Sequence, residues 1–154
     1  MEQKTLTFAQ LCTDELYSLL RLRSEVFVVE QNCVYQDIDD LDRHPETLHN
    51  LFYREQNLVA YVRILAPGVV YDDYACLGRI VIAPSSRGDG LGYDIVKQSI
   101  RIALAHWPNN SIKISAQAYL LNFYNKLGFK QVSDIYLEDD IEHVSMILED
   151  CLQP

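Results

Sequence analysis

At 154 residues, 49% of them hydrophobic, the chain has room for one domain with a packed core and little more. Its formal net charge of −9 argues against nucleic acid or an anionic membrane as partner, because both select basic patches. No stretch approaches the roughly 18 apolar residues of a membrane span, and Met1 to Cys12 carries Glu2 rather than a signal's apolar run, so a cytoplasmic protein is expected.

Lys4 to Ala9 alternates weakly and reads as a first strand. Thr13 is placed to cap a helix whose first turn holds Asp14 and Glu15, matching the helix dipole. Leu16, Leu19, Leu20 and Phe27 make its apolar stripe. Arg23 and Glu30 fall on that stripe, and either a charge-paired site near a cleft or snorkelling side chains would account for them. Asp37, Asp39, Asp40 and Asp42 follow in the run YQDIDDLD, which reads as a solvated loop or as an acidic rim that attracts an amine. The segments His49 to Glu55 and Leu58 to Ala66 read as strands turning at Gln56 and Asn57. Pro67 to Asp73 is a loop, and the β-branched run Cys76 to Ala83 is a further strand.

The stretch Ser85 to Val96, SSRGDGLGYDIV, then places Gly88, Gly90 and Gly92 just before a helical pattern over Leu91 to Trp107. Clustered glycines mean unusual dihedrals or a close approach by something else. A strand, a glycine loop and a helix N-terminus make a ready phosphate site, although a plain turn would use the same residues. The Walker ending Gly-Lys-Ser/Thr is missing, and the dinucleotide spacing fails at Tyr93. Ser111 to Gln117 alternates as a half-buried strand, and Tyr119 to Leu127 is a short helix that Gly128 closes. Phe129 to Leu137 and Val144 to Glu149 are read as closing strands around a second acidic group, Glu138, Asp139, Asp140 and Glu142. The four cysteines, Cys12, Cys33, Cys76 and Cys151, form no C-x-x-C pair and are expected as reduced, mostly buried thiols. The order of elements predicts a mixed α/β domain.

Arg87-Gly88-Asp89-Gly90-Leu91-Gly92, an R-x-x-G-x-G, resembles the pyrophosphate loop of the GNAT acetyltransferase superfamily. Four stretches in order resemble its ElaA-like branch: Leu22 to Asp39, Leu77 to Gly92, Ser115 to Phe129 and Tyr136 to Leu148. The chain departs from that pattern at Val34 and Glu142, where proline is usual, at Tyr119, where histidine is common, and at Gln117, where the wider family often has Asn. The resemblance implies a single domain over 1–154, with a mixed, mostly antiparallel sheet flanked by helices and a splayed central strand pair. It implies an N-acetyltransferase that moves the acetyl group of acetyl-CoA to a primary amine in a ternary complex. A protein that keeps the fold and binds acetyl-CoA without turnover is the alternative.

On that resemblance Ile80, Val81 and Ile82 bond the pantetheine arm, and Arg87, Gly88, Asp89, Gly90, Leu91 and Gly92 hold the pyrophosphate, with Gln117 on the cofactor side. Tyr124 would protonate the departing sulfur, while His143, Glu30 acting through water, and more remotely His49 are candidate bases. Arg23, Tyr35 and Asp37 are expected on the acceptor side. A lysine-like amine with pKa near 10.4 costs about 4 kcal/mol to neutralise at pH 7.4, against about 1.5 for ionising a thiol near 8.5, so the base matters more than the acid. The acidic composition favours a cationic acceptor, small molecule or protein amine, and both monomer and homodimer remain open.

Overall fold

A single pair of parallel strands interrupts an otherwise antiparallel sheet. The computed structural model describes residues 1–149. Its strands are β1 (Glu2–Thr7), β2 (Leu48–Arg54), β3 (Asn57–Leu65), β4 (Tyr74–Ile82), β5 (Ser111–Gln117), β6 (Lys130–Gln131), β7 (Tyr136–Glu138) and β8 (Ile141–Leu148), in the order β1-β2-β3-β4-β5-β8-β6 with β7 also on β8. β4 and β5 run parallel and pair only at Tyr74 with Ser111, Ala75 with Ile112 and Cys76 with Lys113. Beyond Cys76 they part, leaving a V-shaped opening in the middle of the sheet.

Helices cover both faces, which is why β3 is apolar almost throughout. On one face α2 (Leu91–His106) packs Leu91, Ile95, Val96, Ile100 and Ala103 against Phe52, Val62, Ile64, Ile112 and Ile114, with the short α3 (Leu121–Lys126) beside it. On the other, α1 (Thr13–Arg23) sets Leu19 and Leu22, with Val26 beyond it, against Leu51, Tyr61 and Val81. Neighbouring strand residues such as Leu51 and Phe52 thus serve opposite cores, as a two-residue repeat requires. Asn50 ties the layers together: its amide donates to Ser99 Oγ of α2 at 2.9 Å, while its carbonyl accepts from Gln3 and Thr5 of β1. Among the described residues no helix is long and apolar enough to cross a membrane.

Several local expectations shift. β1 stops at Thr7, and Phe8–Gln10 forms a 3-10 turn because Gln10 Oε1 accepts the Thr7 amide at 2.9 Å. Thr13 is inside α1 rather than its cap; Cys12 precedes it, with its amide donating to Glu15 Oε2 at 3.0 Å. After Arg23 the helix widens into a π-helical turn, Ser24–Glu30, with the amide of Gln31 bonded to the carbonyl of Val26. That change of pitch puts Val26 rather than Phe27 in the core. The β2–β3 turn falls at Glu55 and Gln56, both at positive φ, so Asn57 starts β3. Phe129 to Leu137 is two short strands rather than one. Cys12 is exposed and Cys33 half-buried, so neither is a core residue; Cys76 is half-buried as a residue but its thiol is shielded from solvent, and Cys151 lies outside the described residues.

The acidic run has the largest surprise. Asp37 and Asp42 are buried, and they meet three arginines rather than solvent. Arg23 Nε donates to Asp37 Oδ2 at 3.0 Å and its Nη1 to Asp42 Oδ1 at 2.7 Å. Arg63 Nη1 shares Asp42 Oδ1 at 2.8 Å and reaches Asp39 Oδ1 at 2.6 Å. Arg79 Nε stands 2.7 Å from Asp37 Oδ1, and its Nη2 bonds the Asp37 carbonyl and Asp39 Oδ2 at 3.0 and 3.3 Å. Three cations and three carboxylates therefore pin residues 37–42 to α1, β3 and β4. Asp40 is outside the cluster, facing solvent beside Arg43.

Burial would raise the Asp42 carboxyl, but hydrogen bonds and charge from Arg23 and Arg63 outweigh it and hold the group below the ordinary carboxylate range. A carboxyl depressed in the folded state stabilises above its unfolded value near 3.9 and loses that contribution as pH falls through the folded value. Asp42→Asn strips a partner from two buried arginines and should cost about 3 to 5 kcal/mol at pH 7 in urea unfolding. The difference from wild type should persist down to about pH 4 and close below it; a loss under about 1 kcal/mol would place the cluster with ordinary surface pairs.

Candidate active site

Where β4 and β5 part, the sheet opens into a cleft of about 580 Å³. Its floor and sides come from β4 at Gly78 to Ile80, from β5 at Ser115 to Gln117, from the segment after the π-helical turn at Gln31, Cys33 and Tyr35, and from Tyr119, Tyr124, Glu138 and His143. Two local devices keep the strands apart on the β4 side. Arg79 has φ +50°, and the β3–β4 register steps from Tyr61 opposite Val81 to Arg63 opposite Gly78. One extra residue on β4 makes a β-bulge that bends the strand away from β5. The bulge also swings Arg79 onto the acidic run, so sheet distortion and ion cluster hold each other.

The glycine loop sits at the far end of β4. Gly90 has φ +81°, a conformation strained for any side chain, and it leads into the first turn of α2. Gly92 allows close approach instead: a Cβ there would stand 3.2 Å from Ile82 Cδ1 and 3.9 Å from the Phe123 ring. Asp89 would repel a phosphate, yet its carboxylate turns aside, with Oδ2 2.8 Å from Arg54 Nη1 and Oδ1 accepting the Leu91 amide at 3.2 Å. The pairing with Arg54, then the Leu91 amide bond, hold that carboxyl below its usual range. The loop thus offers backbone amides next to a helix N-terminus, and its one acidic side chain is already paired.

Tyr124 is buried in α3 with its ring edge-on to Phe123 at 5.0 Å and to Phe129 at 5.8 Å, and it still lines the cleft. Burial pushes its phenol well above the ordinary value, so the hydroxyl stays protonated through the physiological range. His143 lies across the cleft on β8, opposite Gln117 of β5, stacked on Tyr136 at 6.3 Å. Its Nδ1 is 2.7 Å from the Ile141 carbonyl, which can only accept, so Nδ1 carries a proton and the ring's basic position is Nε2. Ser115 Oγ donates to Glu138 Oε2 at 2.6 Å and accepts from Tyr136 at 2.5 Å, which fixes a carboxylate on the cleft wall. Burial pushes the Cys76 thiol up to about 12, so this cleft cysteine is no rival nucleophile.

Of the residues singled out from sequence, Tyr124, His143, Gln117, Ile80 and Tyr35 share the cleft. Tyr35 donates to Asp37 Oδ1 at 2.9 Å and lies under Arg79. Arg23 is fully buried and Asp37 nearly so, and both are spent on the ion cluster, so neither is exposed to an acceptor. Arg23 and Glu30 do not pair: Glu30 stands outside the cleft against Arg87, which removes the basis for treating it as a base. His49 has no exposure; it donates from Nε2 to the Asp42 carbonyl and accepts from Tyr61, and burial lowers its basicity, so it is a structural group. Val81 turns its side chain into the α1 core, leaving only its backbone for a ligand. Arg79, Ser115, Cys33 and Glu138 line the cleft without having been assigned to it; a lone arginine in the apolar run CLGRIVIA was the available signal for the first.

Residues 8–150 match the family model described as an acetyltransferase (GNAT) domain. The protein ElaA of Escherichia coli is 39% identical over 151 residues, 97% of either chain. The crystal structure of E. coli ElaA superposes with a TM-score of 0.90 at 38% identity, over 97% of this chain and 100% of that one. An acyl-CoA N-acyltransferase from Pseudomonas aeruginosa gives 0.91 at 39% identity with the same coverage. A parted β4–β5 pair, a glycine loop at its end and likeness at this level over nearly the whole length leave one assignment: this chain belongs to the GNAT acetyltransferase family, in its ElaA-like branch.

Proposed function

We propose that the protein transfers the acetyl group of acetyl-CoA to a primary amine by direct attack within a ternary complex. The observation that carries this reading is the unpaired inner edge of β4 leading straight into an amide-rich glycine loop, with Tyr124 and His143 in the same cleft. The pantetheine arm carries amides of its own and adds along β4 at Ile80 to Ile82 like a partial strand. The pyrophosphate comes to rest on loop amides between Gly88 and Gly92 at the start of α2, other than that of Leu91, which Asp89 takes. Gln117, on the facing edge of β5, borders the thioester end.

The acceptor enters from the side of Tyr35, Tyr119, Glu138 and His143. An ammonium acceptor first sheds one proton to solvent; as the neutral nitrogen then bonds to the thioester carbon, a second proton passes to His143 Nε2, and as the C–S bond breaks, Tyr124 delivers its proton to sulfur. The products are an amide and the free thiol of coenzyme A, and solvent returns both side chains to their starting states. The raised phenol keeps its proton until the C–S bond breaks, and because it is a weaker acid than a thiol at about 8.5 it hands that proton over uphill, in step with the cleavage. Neutralisation of Asp37, Asp39 and Asp42 by arginine leaves Glu138 and Asp139 as the carboxylates bordering the cleft with charge to offer. A cationic amine, free or on a protein, fits that end, and free thiols at Cys12, Cys33 and Cys76 suit a reducing cytoplasm.

Release of free thiol from acetyl-CoA, followed with a panel of diamines, amino acids, aminoglycosides and lysine peptides, tests this directly. An amine-dependent rate supports the enzyme; tight acetyl-CoA binding with no thiol from any amine would make the protein a sensor. Tyr124→Phe should stay folded and lower kcat by about 10²- to 10⁴-fold, the usual reach of general acid catalysis. Full activity would reduce Tyr124 to packing. Gly90→Val forces a branched side chain into positive φ and should raise the KM for acetyl-CoA by roughly tenfold or more, with little change for the acceptor. An unchanged KM would move the pyrophosphate elsewhere.

A further inference from the structure

Arg87 opens the glycine loop, and its side chain reaches across to the first helical layer. Its Nη1 donates to Glu30 Oε1 at 2.9 Å and its Nη2 to Glu30 Oε2 at 3.2 Å, a two-point pair. Its Nε and Nη2 also donate to the carbonyl of Ile82 at 3.3 and 3.2 Å. A guanidinium has five N–H groups, and these contacts use four of them. Glu30 is the last residue of the π-helical turn and Ile82 the last residue of β4. Directly after Glu30 come Gln31, Cys33 and Tyr35, which form the acceptor-side wall of the cleft.

Two roles compete for this arginine. As a phosphate ligand it would have to leave a carboxylate that already matches its fork and balances its charge. As a tie, it needs no rearrangement at all, because the loop amides hold an anion without it. We propose that Arg87 and Glu30 form a strut that positions the acceptor wall against the donor strand, and that the pyrophosphate is left to the loop amides. This rests on reading the loop as the acyl-CoA site. Glu30 and Arg87 are then positioning residues that touch neither the thioester nor the amine. The geometry explains why a charged residue continues the apolar stripe of the first helix: it ends there in a contact with the loop.

Free coenzyme A, titrated by calorimetry into wild type, Glu30→Gln, Arg87→Gln and the double variant, is combined with hydrogen exchange at residues 31–36. A strut predicts coenzyme A affinity within about twofold of wild type in the double variant, which like the intact pair brings no net charge to the loop, and within about fivefold in the singles, each of which leaves one screened charge. Exchange across 31–36 should quicken by up to about fivefold in either single variant, the factor an exposed pair can sustain. It should be no faster in the double variant, because both singles break the same contact. Arg87→Lys, which keeps a cation facing Glu30, should restore most of the protection. Loss of tenfold or more in coenzyme A affinity for Arg87→Gln, with tighter binding for Glu30→Gln, would overturn the strut and make Glu30 a competitor for a phosphate ligand. Unchanged exchange in both singles would overturn it as well. Wild type that fails to bind coenzyme A would instead sink the acyl-CoA reading, and the exchange data would still judge the strut.

Discussion

Three ladder positions hold β4 to β5, and after Cys76 each strand runs on without the other. Main-chain N–H and C=O groups that leave a ladder must find water or a ligand, because an unpaired buried amide costs as much as a lost hydrogen bond. The molecule therefore carries a row of unpaired backbone groups at the centre of its sheet, where most proteins would hide them. A ligand with amides spaced along a flexible arm meets that demand, and a glycine loop at the end of β4 meets the demand of a terminal diphosphate. Helix packing on both faces, the short final strands and the placement of Tyr124 and His143 all make sense as supports for this opening.

Keeping two parallel strands apart needs something firm on the far side, since closing the gap would gain backbone hydrogen bonds. The bulge at Arg79 sets the bend, and the six-membered ion cluster holds Arg79 in place. Replacing such a cluster by apolar residues often leaves stability unchanged or improved, so its value here lies in geometry. Arg23 reaches it from α1, Arg63 from β3 and Arg79 from β4, while the three carboxylates come from one loop of six residues. Four elements are thereby fixed with directional contacts, which an oily core cannot supply. Tyr35, two residues before Asp37 and bonded to its carboxylate, is delivered to the cleft as a consequence.

Elements with a local cause were legible from sequence. α2 and β5 follow from their periodicity, and Gly128 takes φ +95° after α3 as a closing glycine should. The glycine loop and Tyr124 were legible through the resemblance their neighbourhood carries. What sequence did not show has partners far along the chain: the cluster joins residues separated by 14 to 42 positions, and Glu30 meets Arg87 across 57. A carboxylate bound for an arginine looks the same in sequence as one bound for water. The better signal lay in the arginines, because Arg63 and Arg79 interrupt strands that are otherwise apolar, and a buried cation must have its anion somewhere. The π-helical turn left no trace either, since its extra residue per turn alters no residue preference.

Charge is distributed unevenly around the cleft. A net −9 invites the idea of an acidic funnel for amines, and the run Asp37 to Asp42 points the same way. Once Arg23, Arg63 and Arg79 are counted, with Arg43 beside Asp40, that wall is neutral, and Asp89 at the donor end is balanced by Arg54. The free negative charge beside the cleft shrinks to the β7–β8 turn, where Glu138 is oriented by Ser115 next to His143. On the acetyl transfer proposed above, a cation drawn there arrives beside His143 Nε2, so recognition and deprotonation fall at the same corner.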